Sequence, residues 1–129
     1  MTVKASLSVC TLTAAVSTLT AATSAACDAS DNTEQFGLGG VTRIFRRDAT
    51  KLGPAHPLEP FTLAFLDPPY RKGLAEKALT SARDGGWLTP GALIVVEEAA
   101  DAGFKAPQGF EELERRQYDD TELIFLHNV

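Results

Sequence analysis

The residues Asp67-Pro68-Pro69-Tyr70 offer the clearest chemistry in the sequence, and they follow the apolar run Phe61–Leu66, a predicted buried strand. An exocyclic amine of a nucleobase is a poor nucleophile, because its lone pair is delocalised into the ring. A catalyst must therefore hold the amine with that lone pair aimed at an electrophile. Asp67 can accept one N–H and the carbonyl of Pro68 the other, while the prolines fix the backbone. Tyr70 can stack on the base, which is worth about 1–3 kcal/mol.

The electrophile that suits this arrangement is a sulfonium methyl group held in line with the lone pair of the amine. Positioning of the two groups would then supply most of the rate acceleration. A base inside a duplex would first have to be flipped out. The simpler interpretation is a turn, because Asp-Pro-Pro suits a turn after any strand. The predicted strand before the motif favours the chemical interpretation, and so do the helix after it and the segment Gly85-Gly86-Trp87-Leu88, which breaks that helix.

From Asn32 onward the pattern is that of an α/β protein. The predicted elements are a helix end over 34–38, strands over 41–46, 62–66 and 92–97, a loop over 53–60, a helix over 74–83, a turn at 90–91, and terminal strands over 112–118 and 121–127. Thr121, Leu123 and Phe125 are expected to share one face of the last strand. This order predicts a mostly parallel open sheet with an antiparallel terminal hairpin. Ligands of such sheets bind at the carboxyl ends of strands, where Asp48 and Asp67 both fall.

The length of 129 residues suits one small domain, and the net charge of −5 argues against a nucleic-acid coat protein. Residues 41–83 carry eight Lys/Arg against four Asp/Glu, whereas residues 84–129 carry three against ten. The basic half surrounds Asp67 and could steer an anionic substrate; a solvated surface is an equal alternative. Cys10 and Cys27 have no metal-ligand spacing, and we expect two free thiols.

Residues 1–31 differ from residues 32–129, since they are rich in Ala, Thr and Ser and carry no charge between Lys4 and Asp28. Three interpretations compete: a secretory signal ending near Cys27, a disordered low-complexity leader, and an artefact of gene prediction or a frameshift. The many hydroxyl side chains argue against a secretory signal, and they argue more strongly against a transmembrane helix. We favour the artefact.

A series of short segments in residues 32–129 forms a recognisable pattern. The segments are Gly39-Gly40-Val41, Arg46-Arg47-Asp48-Ala49, Phe65-Leu66-Asp67-Pro68-Pro69-Tyr70, Lys72-Gly73-Leu74, Gly86-Trp87-Leu88, Gly91-Ala92-Leu93-Ile94-Val95-Val96-Glu97 and Tyr118-Asp119-Asp120-Thr121. In their order and spacing they resemble the carboxyl-terminal part of the bacterial small-subunit ribosomal RNA guanine-N2 methyltransferase family, often called RsmD. The resemblance is specific.

The resemblance implies a class I S-adenosylmethionine-dependent methyltransferase fold. It also implies methyl transfer to the N2 amine of a guanine in 16S ribosomal RNA of an assembling small subunit. A cytoplasmic monomer without metal or membrane attachment is the corresponding expectation. The same motif serves adenine N6 of DNA or RNA, which remains the alternative within the enzyme class. An exported, non-catalytic small domain is the alternative from another class.

Site residues follow from the resemblance position by position. Asp67, Pro68, Pro69 and Tyr70 would form the site for the amine and its base. Asp48, with the backbone of Ala49, would contact the adenine of S-adenosylmethionine, and Asp67 would also border the cofactor. A helix N-cap is the alternative for Asp48.

Two further residues, Arg71 and Lys72, would touch RNA phosphate, with a solvated surface as the equal alternative. The family also has a glycine-rich loop after its first strand, which cradles the amino-acid end of the cofactor; no such loop is found here. Its sheet has two further strands between those predicted at Val41 and Thr62, and residues 1–31 lack the length and pattern to supply them. We therefore expect residues 32–129 to be a partial methyltransferase domain that binds the cofactor weakly.

Overall fold

A computed structural model of the chain describes residues 10–14, 17–21, 43–45 and 48–129. These residues form a seven-stranded sheet, an α-helix and a short 3-10 helix. In chain order the elements are β1 (Cys10–Ala14), β2 (Ser17–Ala21), β3 (Arg43–Phe45), the 3-10 helix (Ala49–Lys51), β4 (Phe61–Leu66), α1 (Leu74–Asp84), β5 (Leu88–Ala99), β6 (Phe110–Tyr118) and β7 (Thr121–Asn128).

The sheet has the strand order β3-β2-β1-β4-β5-β7-β6. β4 is parallel to β5 and β2 is parallel to β3, whereas β7 is antiparallel to both of its neighbours. β1 is antiparallel to both β2 and β4, so five of the seven described strands point the same way. The predicted α/β architecture, with mostly parallel strands and an antiparallel terminal hairpin, is confirmed.

Two strands lie within residues 1–31, in which the sequence pattern suggested none. β1 and β2 pair antiparallel, with Leu12 opposite Leu19, and occupy the two places between β3 and β4. Threonine is β-branched and suits a pleated strand, which the composition-based expectation undervalued. That these residues are a leader or a frameshift product stays a prediction. The predicted helix end over 34–38 lies outside the described residues.

The helix α1 packs against the sheet through its buried small residues and leucine. It begins after Gly73, ends at Gly85 and matches the predicted helix to within one residue. Its buried positions are Ala75, Ala78, Leu79 and Ala82. Beyond it, the buried ring of Trp87 stacks on Phe61 with centroids 6.4 Å apart, and its indole N–H donates to the carbonyl of Gly53 at 2.7 Å. These contacts tie the loop before β4 to the starts of β4 and β5.

β5 is longer than predicted, and the turn expected at Pro90-Gly91 is wrong. Phe61 pairs with Leu88 and Leu63 with Leu93, so β5 bulges between the two pairs. Pro90 lies in this bulge, where its missing N–H costs no ladder hydrogen bond. After the bulge the register is continuous from Leu93 to Val96.

The terminal hairpin forms as predicted, and Thr121, Leu123 and Phe125 share one face of β7 as expected, although the opposite face is the more buried. Glu122, Ile124 and Leu126 are buried, whereas Thr121, Leu123 and Phe125 are only half-buried. A charged residue belongs to the buried face because Arg115 lies 3.0 Å from the Glu122 carboxylate. β6 forms the edge of the sheet, and beyond Phe110 all its side chains are exposed.

Candidate methyl-acceptor site

The segment Asp67–Gly73 leaves the carboxyl end of β4 and leads into α1. Pro68 is buried, whereas Asp67, Pro69 and Tyr70 are half-buried. β4 lies between β1 and β5, so the loop starts from the interior of the sheet rather than from its edge. Two prolines with restricted φ angles then carry the chain across the end of the sheet with little conformational freedom.

The ring of Tyr70 is held by residues from two other strands. Its hydroxyl donates to Oε1 of Glu97 at 2.7 Å and lies 3.4 Å from Oγ1 of Thr121. Burial raises the pKa of Tyr70 above its ordinary value, and the carboxylates of Glu97 and Asp67 raise it further, although the Thr121 hydroxyl opposes them. The phenol therefore keeps its proton at neutral pH, and its ring is fixed at the far end.

The backbone after Tyr70 turns sharply. Arg71 has φ = 63°, a left-handed conformation that is unusual for a residue with a side chain, and Gly73 has the same φ. The amide of Arg71 donates to Oε1 of Glu98 at 2.9 Å, and the Arg71 guanidinium pairs with Asp101 at 2.8 Å. Lys72 is exposed. Both predicted RNA-contacting residues thus lie at the surface next to the acceptor loop, with Arg71 already engaged by a carboxylate.

Asp48 caps the short helix that begins at Ala49. Its Oδ1 accepts from the backbone N–H of Thr50 at 2.9 Å and from the Thr50 hydroxyl at 2.7 Å. These hydrogen bonds, the hydroxyl first, lower the pKa of Asp48. The N-cap role considered from the sequence is therefore present, while the cofactor role of Asp48 and Ala49 stays a prediction.

The two predicted halves of the site follow different strands. β3 precedes Asp48, and it lies three strand spacings from β4, or about 14 Å. A cleft of about 790 Å³ adjoins the Asp48 side, between the 3-10 helix and α1, and its lining includes Lys51, Glu76 and Lys77. None of the residues Asp67–Tyr70 lines this cleft. The predicted cofactor residues Asp48 and Ala49 thus follow a different strand from the acceptor residues.

A family model described as conserved hypothetical protein 95 matches residues 11–127, which is most of the chain. The chain belongs to this family. The match begins within β1, so it includes both strands of residues 1–31, and it ends one residue before the end of β7. The resemblance found from the motifs is confirmed at the level of the family.

Curated relatives of this member of the conserved hypothetical protein 95 family match it over shorter stretches. Ribosomal RNA small subunit methyltransferase D of Escherichia coli strain K12 is 43% identical over 44 residues, 34% of this chain and 22% of the relative. The protein of the same name from Haemophilus influenzae is 40% identical over 50 residues, 39% of this chain and 26% of the relative. The chain thus aligns with about a quarter of the length of these relatives.

Solved structures show the fold of the family member over most of its length. HI0767 of Haemophilus influenzae, which carries the provisional description of a methylase, has a TM-score of 0.71 at 23% identity and covers 86% of this chain and 70% of its own. YhhF of Escherichia coli, provisionally described as a methyltransferase, has a TM-score of 0.68 at 22% identity, with coverages of 85% and 61%. The class I methyltransferase fold predicted from the resemblance is confirmed.

Three residues make contacts with the acceptor loop that were not predicted from the sequence: Glu97, Glu98 and Thr121. Glu97 and Glu98 come near the carboxyl end of the apolar strand β5, which neighbours β4. Two carboxylates at the end of a buried strand, beside the strand that carries the motif, were the signal that could have identified them. Thr121 belongs to a family-like segment, but its contact with Tyr70 could not be predicted, because it depends on the pairing of β7 with β5.

No metal centre and no membrane span emerge from the part of the chain that the structure describes. Within it, no three His, Cys, Asp or Glu side chains are grouped so that they could hold a metal ion. Within the same residues, no helix has both the length and the apolar character needed to cross a bilayer.

Proposed function

We propose that this chain serves methyl transfer from S-adenosylmethionine to the N2 amine of a guanine in 16S ribosomal RNA. The observation that carries the proposal is the loop Asp67–Tyr70, held at the carboxyl end of an interior strand with its tyrosine hydroxyl anchored to Glu97. The names of the curated relatives, small-subunit ribosomal RNA methyltransferases, support this substrate class.

The acceptor chemistry rests on Asp67, Pro68 and Tyr70. The Asp67 carboxylate would accept one N–H of the guanine amine and the Pro68 carbonyl the other, which directs the nitrogen lone pair away from the ring plane. Since Pro68 is buried and Tyr70 is anchored, these groups need little reorganisation when the base arrives. The Tyr70 ring would stack on the flipped-out base.

The residues proposed to bind the methyl donor fit their role less well than the acceptor residues fit theirs. Asp48 and Ala49 would contact the cofactor's adenine, and Asp67 would border its methyl end; the bound cofactor would supply an electrophilic methyl group. One oxygen of Asp48 already accepts two hydrogen bonds from Thr50, and none of the strands in the described ranges is followed by a glycine-rich loop. We therefore assign no catalytic step to donor-binding residues and expect weak cofactor binding.

The RNA would approach over Arg71 and Lys72, which flank the acceptor loop at the surface. Arg71 pairs with Asp101 through an exposed contact, and such a contact contributes little stability and exchanges readily for a phosphate. A substrate as large as an assembling small subunit is compatible with a loop at the end of an open sheet. A monomeric, cytoplasmic protein remains the expectation that accompanies this proposal.

The test is a methyl-transfer assay with the 129-residue chain, unmethylated small subunits and cofactor at millimolar concentration. Mapping of the labelled nucleotide should find N2-methylguanine, and Asp67→Ala should remove it. Label on adenine N6 would instead support the alternative substrate. A folded chain that transfers no methyl group at any cofactor concentration would overturn the proposed activity.

Cofactor affinity is a separate measurement on the same chain. Titration calorimetry with S-adenosylmethionine should give no saturation at micromolar ligand. Micromolar binding would contradict the interpretation of the donor residues, and a loss of that binding in Asp48→Ala would then identify Asp48 as a ligand.

A further inference from the structure

Glu98 is a buried carboxylate near the end of β5, with 2% of its surface exposed. A buried carboxylate is costly unless hydrogen bonds replace its water. Its Oε1 accepts from two backbone amides, that of Arg71 at 2.9 Å and that of Ala99 at 2.8 Å. The first of these bonds reaches across 27 residues to the acceptor loop.

Glu97 and Glu98 hold the same loop from opposite faces of β5, because successive side chains of a strand alternate in direction. Glu97 accepts the hydrogen bond of the Tyr70 hydroxyl, and Glu98 that of the next residue's amide. One carboxylate thus fixes the ring, and the other fixes the backbone that carries it.

The backbone held by Glu98 is in an uncommon conformation. Arg71 has φ = 63°, which persists in a residue with a side chain only when its surroundings enforce it. The hydrogen bond to Glu98 is the contact that engages this residue's own amide. Released from it, Arg71 would relax toward negative φ, and the Tyr70 ring and the Pro68 carbonyl would change direction with it.

We propose that Glu98 is a positioning residue for the methyl-acceptor loop: by holding the amide of Arg71, it sets the placement of Tyr70 and of the carbonyl that would accept the target amine. The proposal about catalysis rests on the proposed function, whereas the proposal about the loop geometry does not. In this role Glu98 acts through the amide of Arg71.

The matched variants are Glu98→Gln and Glu98→Leu. Both amides donate to the same oxygen, so the amide oxygen of glutamine can accept both hydrogen bonds, whereas leucine fills the space and accepts none. Glu98→Asp keeps the charge and shortens the reach, and it decides the outcome if the leucine variant does not fold. All variants are compared at a temperature at which circular dichroism shows them folded.

The first readout is the titration of Tyr70 in a Tyr118→Phe background, which leaves one tyrosine in the chain. Glu97, Asp67 and Thr121 are the groups that act on the Tyr70 phenol. The tyrosinate midpoint should stay raised in Glu98→Gln and fall toward the ordinary value in Glu98→Leu and Glu98→Asp, because a loosened loop separates the ring from Glu97. An unchanged midpoint in both of the latter would overturn the proposal, whatever the fate of the methyl-transfer assay.

The second readout is the kinetics of methyl transfer. Glu98→Leu should lower kcat by about 10²-fold, the loss expected for a misplacement of about 1 Å, while KM for the cofactor changes little. Glu98→Gln should restore most of kcat. If the parent chain has no transferase activity, the proposed function is refuted. The tyrosine titration then decides the role of Glu98 by itself. A parent that is active, with equal kcat in all variants, would refute the positioning role.

Discussion

The hydroxyl of Tyr70 donates a 2.7 Å hydrogen bond to the carboxylate of Glu97, which joins the loop after β4 to the end of β5. This bond links the residue proposed to stack on the base with the strand next to it in the sheet. Burial raises the pKa of the Tyr70 phenol most, and the Glu97 carboxylate adds to it, so the ring carries its proton.

Glu97→Gln should lower the pKa of Tyr70 toward its ordinary value of 10.0, because the mutation removes a charge and keeps a hydrogen-bond acceptor. Spectrophotometric titration of the Tyr118→Phe chain with and without this change measures the effect. A matched control is Glu59→Gln, an exposed position in the loop before β4. An equal shift in both variants would attribute the effect to net charge alone.

The raised pKa of Tyr70 has a consequence for stability. A folded-state pKa above the unfolded one means that the protonated phenol favours the fold, fully so below about pH 10. That contribution should be lost as the pH rises through the folded-state pKa, and it should be absent in Tyr70→Phe. Urea unfolding at a series of alkaline pH values compares the two chains; parallel decreases in stability would contradict the assignment.

Asp67→Ala should lower turnover in the methyl-transfer assay by about 10²-fold or more, as the loss of one oriented acceptor does in other active sites. Cofactor affinity should change far less, because the acceptor carboxylate acts on the amine. Asp84→Ala, an exposed carboxylate at the end of α1, is the control and should retain turnover. If Asp67→Ala leaves turnover unchanged, the catalytic assignment fails.

Lys72→Ala should weaken RNA binding and make it less salt-dependent. Each phosphate contact to a single strand adds about 0.7 to the slope of log affinity against log salt, so the slope should fall by about that amount. Lys105→Ala removes an exposed lysine between β5 and β6 and is the control. Filter binding at several salt concentrations measures both slopes, and equal slopes would place the RNA elsewhere.

Gly85→Ala should destabilise the fold by about 3 kcal/mol, near the upper end for overpacking. A methyl group at Gly85 would collide with the carbonyl of Gly53 and lie 2.7 Å from Cδ1 of Trp87, neither of which can rotate away. Gly91→Ala meets open space and suffers only from its φ of 77°, so it should cost about 1 kcal/mol. Denaturant unfolding of both variants tests the difference, which equal losses would contradict.

Local patterns predicted the elements that carry the site. The apolar run of β4, the helical spacing of α1 and the breaker Gly85-Gly86 depend on neighbours in the sequence, and the structure confirms them. The bulge in β5 was misread as a turn, because Pro90-Gly91 has turn chemistry whichever fold surrounds it. Which face of β7 is buried could not be predicted, because the Arg115–Glu122 pair that allows a charge on the buried face joins two strands.

The contacts around Tyr70 could not be predicted in the same way. Glu97 lies 27 residues away and Thr121 lies 51 residues away, so both contacts depend on how β5 and β7 join the sheet. The chemistry of Asp67-Pro68-Pro69-Tyr70 could be predicted from the sequence. The residues that orient Tyr70 could be identified only once the strand order was known.

The bulge between Leu88 and Leu93 separates the two ends of β5. Before it, the strand is tied to the Trp87 packing; after it, an unbroken ladder leads to Glu97 and Glu98. The bulge could accommodate an inserted or deleted residue. The register of the strand after the bulge, and the face on which each of its side chains lies, would then stay the same. Changes of length near Pro90 are thereby isolated from the two carboxylates that hold Tyr70 and Arg71.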